Sequence, residues 1–210
     1  MLDTWTQKSS LPGVGRWSSG FIINNKAYIA PGILADLSTT QELWEYEPAT
    51  DTWTPKAGFP EANRFEVVGF SINGKGYIGA GANSSNSANT FYQYDPETDT
   101  WTQKANFVNP SRSGAVAFSI NSKGYIGSGF TTGSSPRNDF YQYDPISDTW
   151  KQIDNLPGPG RSYGTAFTIG NSAYVLTGLT TSNVPLNDVW AYSETNAPIY
   201  QISNPASSVI

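Results

Sequence analysis

The chain has 210 residues, 12 Lys+Arg against 17 Asp+Glu, and neither cysteine nor histidine. A net charge of −5 without any basic run offers no electrostatic footprint for nucleic acid or an anionic membrane. The missing residue types remove the commonest general base, the commonest transition-metal ligand, the thiol nucleophile and any disulfide.

No apolar run approaches the roughly 20 residues of a membrane span. Met1-Leu2-Asp3 opens directly on repeat material instead of a signal peptide, so an exported parent is expected to carry its leader outside this sequence. The repeat is the tripeptide Asp3-Thr4-Trp5, which returns as Asp51-Thr52-Trp53, Asp99-Thr100-Trp101 and Asp148-Thr149-Trp150, at intervals of 48, 48 and 49 residues. A fixed period of this size denotes a solenoid, a propeller or an array. Phe21, Phe70, Phe118 and Phe167 keep the same beat, as do Tyr28, Tyr77, Tyr125 and Tyr174, and Gly32, Gly81, Gly129 and Gly178.

In chain order, each unit reads as four short strands, because aromatic and β-branched residues alternate between turn signals. The third unit shows this most plainly. Its first strand is predicted over Gly114–Ile120, small and apolar, followed by a turn at Asn121-Ser122 where the second unit has Asn73-Gly74, a strong hairpin signal. The second strand, Gly124–Gly129, ends in glycine, which suggests close backbone approach. The third, Phe140–Tyr143, runs into Asp144-Pro145, the opening of a type I turn, and the fourth begins at Asp148. The first unit is looser, with one residue fewer between Arg16 and Phe21 and with Pro31-Gly32 closing its second strand. A buried Trp removes roughly 150–250 Å² from water, an upper bound of about 4–6 kcal/mol per unit, so the Asp-Thr-Trp indoles are expected in the core.

The chain begins with a lone fourth strand, Asp3 to Gln7, while its last unit stops at a third strand near Tyr192. The amino end is therefore expected to complete the last sheet and close a ring of four. The expected units are residues 16–57, 64–105, 112–154 and 161–193 plus 1–8, one domain over 1–195, with a tail over 196–210.

These residues resemble the kelch repeat family of β-propellers. The family pattern is an Arg before the first strand, a Tyr then a Gly pair in the second, an aromatic-x-Tyr-Asp-Pro segment, and a Trp; here Arg112, Tyr125, Ser128-Gly129, Tyr141–Pro145 and Trp150 stand in those places. The resemblance implies an all-β, kelch-type β-propeller of four blades, each of four antiparallel strands. The first glycine of the pair is replaced throughout, by Pro31, Ala80, Ser128 and Thr177, as in divergent, bacterial-looking members. Four units is fewer than members usually carry, so the expected particle is a compact monomer, a blade-sharing homo-oligomer, or part of a larger propeller. The end of the tail, Ile202–Ile210, resembles the start of a carboxyl-terminal sorting domain of secreted Bacteroidetes proteins, which leans towards an extracellular location.

Kelch-like copper oxidases similar to galactose oxidase need histidines and a cysteine-linked tyrosine, which this chain lacks. The sialidase Asp-box has a Gly between Asp and Thr, unlike Ser147-Asp148-Thr149-Trp150. Asp51, Asp95, Asp99, Asp144 and Asp148 could be drawn as calcium ligands, but turn initiation explains them more simply. No enzymatic constellation, metal site or cofactor is expected.

The candidate ligand-binding residues are Arg16, Arg64, Arg112 and Arg161, one per unit just before the innermost strand. They are expected to ring one mouth as a positive funnel matched to carboxylates. Trp17, Phe65, Tyr163 and Arg137 flank them, with the loops 33–41, 82–90, 130–138 and 179–187. The resemblance points the same way, since kelch proteins often bind acidic peptides at an arginine-lined mouth. The expected function is non-catalytic binding of a protein or acidic peptide. The alternatives are a secreted carbohydrate-binding or adhesion propeller and, more remotely, an epimerase- or lyase-type enzyme. A structural role for the arginines, bonded to carbonyls, is the competing expectation.

Overall fold

In Val116-Ala117-Phe118-Ser119-Ile120 the first, third and fifth side chains are buried and the others half-buried, the alternation of a strand with unequal faces. Val68–Ile72 repeats it residue for residue. A computed structural model describes residues 3–13, 16–83, 88–108, 112–131 and 133–194, with only the backbone of Arg16 and Trp17. It contains sixteen strands and, among the described residues, no helix, hence none long and apolar enough to cross a membrane. The tail 196–210, including the sorting-domain resemblance, lies outside the described residues.

The first sheet orders β1 (Arg16–Ile23), β2 (Lys26–Leu34), β4 (Leu43–Glu47) and β5 (Thr52–Lys56), with the short β3 (Thr39–Thr40) also on β2. The second is β6 (Val68–Ile72), β7 (Lys75–Gly79), β8 (Phe91–Asp95) and β9 (Thr100–Lys104). The third is β10 (Val116–Ile120), β11 (Lys123–Gly127), β12 (Phe140–Asp144) and β13 (Thr149–Ile153). The fourth has three strands, β14 (Thr165–Ile169), β15 (Ser172–Leu176) and β16 (Val189–Tyr192). All neighbours are antiparallel meanders. The inner strands β1, β6, β10 and β14 pack in succession around a central cavity walled by all four sheets, which makes each sheet the blade of a propeller.

The repeated aromatics build the walls between blades. Phe21, Phe70, Phe118 and Phe167 each stand opposite the tyrosine of the neighbouring strand, with ring centroids 4.9–5.6 Å apart. The next blade must leave room for that phenylalanine: a Cβ on Gly124 would lie 2.2 Å from the Phe70 ring.

A second device stitches the outer strands. Asp99 accepts hydrogen bonds from the Ala57 amide (2.9 Å) and the Tyr94 hydroxyl (2.7 Å), while the Trp101 indole donates to the Ala57 carbonyl (2.8 Å). Asp148 and Trp150 hold Ala105 in the same way, and Asp51 and Trp53 hold Ser9. The Asp-Thr-Trp element thus latches each blade to the residue just after the preceding outer strand, which accounts for the aspartates without a metal. The three aspartates sit at φ 53–56°, a turn conformation that Asp tolerates, so the outer strands begin one residue later than the sequence suggests.

The amino-terminal strand departs from expectation. Residues 3–11 form no strand, Trp5 is fully exposed, and among the described residues β16 is left as an edge. The Ser9 latch to the first blade is the one that the second and third blades also make with the residue after the preceding outer strand; what fails is the junction, because no packing of β14 against β1 comparable to the other inner-strand pairs brings the fourth blade up to it. Phe167 and Ile169 of β14 are accordingly exposed, whereas Phe70, Ile72, Phe118 and Ile120 at the same positions are buried.

Candidate functional site

Each second strand ends in a corner with two residues at positive φ: Ala80-Gly81, Ser128-Gly129 and Thr177-Gly178. Glycine adopts this readily and the preceding residue does so under strain. The strained residue's carbonyl is gripped by the arginine of the same blade, Ala80 by Arg64, Ser128 by Arg112 (3.1 Å) and Thr177 by Arg161 (3.1 Å). In the first blade Pro31, whose ring fixes φ near −65°, stands where Ala80 does, and β2 runs on through Gly32 to Leu34.

The predicted arginine funnel is therefore not formed by Arg64, Arg112 and Arg161. Their side chains are at most 1% exposed. Arg112 forks onto Asp139 (2.5 and 3.1 Å) and Arg161 onto Asp188 (2.6 and 2.7 Å), while Arg64 pairs with Glu61 and bonds Thr90. A buried guanidinium needs a neutralising carboxylate, and once paired it projects little charge outward. The hydrogen bonds from Arg161 hold the Asp188 carboxyl well below the usual range, down to about 2. Arg137 is half-buried, and its charge acts on Asp139. Arg16 and Trp17 lie in β1 opposite Leu34 and Ile33, with their side chains outside the described residues.

What lines the open cavity is different. It has a volume of about 800 Å³, and its described walls are small and apolar apart from Ser18, Ser19, Glu66 and Tyr163. Glu66, Gly114 and Tyr163 share one register position, two residues after the buried arginine, and all three have φ between 52° and 58°. At glycine that costs little. At Glu66 and Tyr163 it is strained, and strain of this kind gathers where a side chain must be aimed. Tyr163 donates its hydroxyl to Glu66 (3.0 Å) across the cavity, from the fourth blade to the second, and its ring packs on Phe130 at 5.8 Å. Phe65, half-buried, also borders the cavity. Burial and the neighbouring Glu66 carboxylate push the Tyr163 hydroxyl up to about 12, so it stays a donor at neutral pH.

Of the predicted residues, Phe65 and Tyr163 are thus brought together at the cavity and the three buried arginines are not. Glu66 was missed. Its signal was the position two after each arginine, where glutamate, glycine and tyrosine alternate in an otherwise regular repeat.

A propeller of mostly four-stranded blades, three of them cornered by a buried arginine on a carbonyl and three latched by Asp-Thr-Trp, is a kelch-type propeller. Residues 18–208 match the KLHDC2/KLHL20/DRC7 Kelch-repeats domain, and the chain belongs to that family. Among solved structures, one described as "Structure of YjhT" superposes with a TM-score of 0.74 at 18% identity, over 91% of this chain and 69% of that one. Identity that low shows a shared fold. No curated protein sequence matches.

Proposed function

We propose that the chain is a non-catalytic recognition module that binds a protein or peptide at the open end of the central cavity, with Tyr163, Glu66 and Phe65 as the anchoring residues. The observation that carries this reading is the Tyr163–Glu66 pair: two large side chains held at positive φ and joined over a cavity whose described walls are otherwise uncharged. Family membership supports it, since kelch propellers serve generally as interaction scaffolds. Tyrosine beside an apolar recess is a common anchor at interfaces. The preference for acidic peptides that an arginine mouth implied gives way to its opposite, because the one charge among the described residues of these walls is a carboxylate. The favoured ligand offers a lysine or arginine side chain to Glu66 and an apolar neighbour to Phe65.

A half-exposed tyrosine ring beside a carboxylate also suits sugar stacking, which keeps carbohydrate as the second reading. Panning a random peptide library on the wild-type chain tests the first. Enriched peptides are expected to carry Lys or Arg, to lose at least ten-fold in affinity against Tyr163→Ala, and to lose their basic preference against Glu66→Gln. No enrichment, together with Tyr163-dependent binding on a glycan array, decides for carbohydrate.

A further inference from the structure

Among the described residues, the fourth blade carries an unfilled receptor for an outer strand. In the second and third blades the Asp-Thr-Trp indole enters a socket between blades. Trp150 meets Phe91, Phe107 and Tyr143 with centroids 5.0 Å away in each case, and Trp101 meets Phe59 and Tyr94 at 5.3 and 5.0 Å. One repeat further on, the corresponding residues are Phe140, Leu156 and Tyr192. They line a cavity of about 260 Å³ between the third and fourth blades. Beside it runs the edge of β16, free among the described residues, where Tyr192 holds the place that Tyr94 and Tyr143 hold opposite their tryptophans. Asp154 stands where Ala57 and Ala105 receive their latches.

The matching plug is in the same chain. Asp3-Thr4-Trp5-Thr6-Gln7-Lys8 repeats Asp99-Thr100-Trp101-Thr102-Gln103-Lys104 at every position, and in the structure it is unpaired with Trp5 fully exposed. Ser9 latches it to the first blade, as Ala57 and Ala105 latch the outer strands before them, and the first blade does not pack on the fourth as the other blades pack on one another, which keeps the segment from its own β16. The surfaces that would flank such a junction are complementary as well. Phe167 and Ile169 are exposed on the trailing face of the fourth blade. The leading face of the first blade has half-buried Ala27 at the position of Ala173, the alanine of the fourth blade that is buried in one cluster with Phe118 of the third.

We infer that the occupant of this receptor is the Asp3–Lys8 segment of a second copy of the chain. It adds to β16 as an antiparallel strand, with Trp5 in the Phe140–Leu156–Tyr192 socket and Asp3 accepting from the Tyr192 hydroxyl and the Asp154 amide. The first blade of that copy then follows the fourth blade of this one in the spacing that already joins the blades within the chain. The contact is head-to-tail, main-chain pairing supplying affinity and the indole supplying register.

Sedimentation of the full chain over a range of concentrations, with wild type and Trp5→Ala compared, is the test. The expected result is a wild-type mass at a multiple of 22.8 kDa and a Trp5→Ala chain that is folded and monomeric. A synthetic peptide of residues 1–10 should bind the Trp5→Ala chain saturably, and the same peptide with Trp5→Ala at least ten-fold more weakly. Tyr192→Phe, which keeps the ring and removes the hydroxyl, should weaken the wild-type assembly without unfolding the chain. A wild-type chain that stays monomeric at every concentration overturns the inference. In that case, peptide binding confined to Trp5→Ala would show the socket filled by the chain's own segment. An assembly unchanged by Trp5→Ala also overturns it, because another surface would then hold the copies together.

Discussion

Arg112 shows how one side chain can carry a corner of the fold. Its guanidinium bonds the carbonyl of Ser128 and forks onto Asp139 while fully buried, so removing it leaves a carboxylate and a strained carbonyl without their partner. Arg112→Ala is expected to cost about 3–5 kcal/mol in urea unfolding. Arg112→Lys should recover only part of this, because an ammonium cannot reproduce the fork. Asp188 makes the same arrangement visible in acid. Its carboxyl is depressed from the ordinary 3.8 to about 2 in the folded chain, so its contribution is complete above pH 3.8 and disappears as pH falls towards 2. Asp188→Asn should flatten the pH dependence of stability within that window and leave it unchanged above. The arginine register was plain in the sequence, yet its direction was not: a period of 48 residues fixes height along the propeller axis and says nothing about whether a side chain turns inward. The clue lay in Asp139 and Asp188, acidic residues directly ahead of the third strand in two blades, while the second blade supplies Glu61 from elsewhere.

At the scale of the strand and its corners, the second strands could be placed closely from sequence because Gly81, Gly129 and Gly178 announce a positive φ. The residue before each glycine adopts it too, which ends those strands two residues early. Thr177, β-branched and at φ 58°, bears the greatest cost. Thr177→Gly restores the family's paired glycine and should raise stability by about 1 kcal/mol, read as a higher urea midpoint with unchanged slope. The latches allow a cleaner measurement. Asp99→Gly suits the backbone but deletes the acceptor for Ala57 and Tyr94, and is expected to cost about 2 kcal/mol. Asp99→Asn keeps an acceptor oxygen and should cost less than half as much.

For the whole molecule, the repeat period, the all-β class and the number of sheets were legible, because each is written several times over. Closure was not, since it depends on the angle between wedges, which small differences in packing set and no single residue encodes. The last sheet, with three strands and exposed Phe167 and Ile169, is supported on one side only. Amide hydrogen exchange of the Trp5→Ala chain should therefore be fastest in β14 to β16 and slowest in β6 to β11, as nearest-neighbour stability in repeat proteins requires.

The trailing surface of the final wedge is a copy of the surface that every earlier wedge presents to its successor. Nothing in such a design counts its own members, so the number of wedges in a finished particle is decided by curvature alone. Under the head-to-tail pairing proposed above, a junction angle that closes gives a ring and one that does not gives an open-ended fibre, with the same recognition contacts in both.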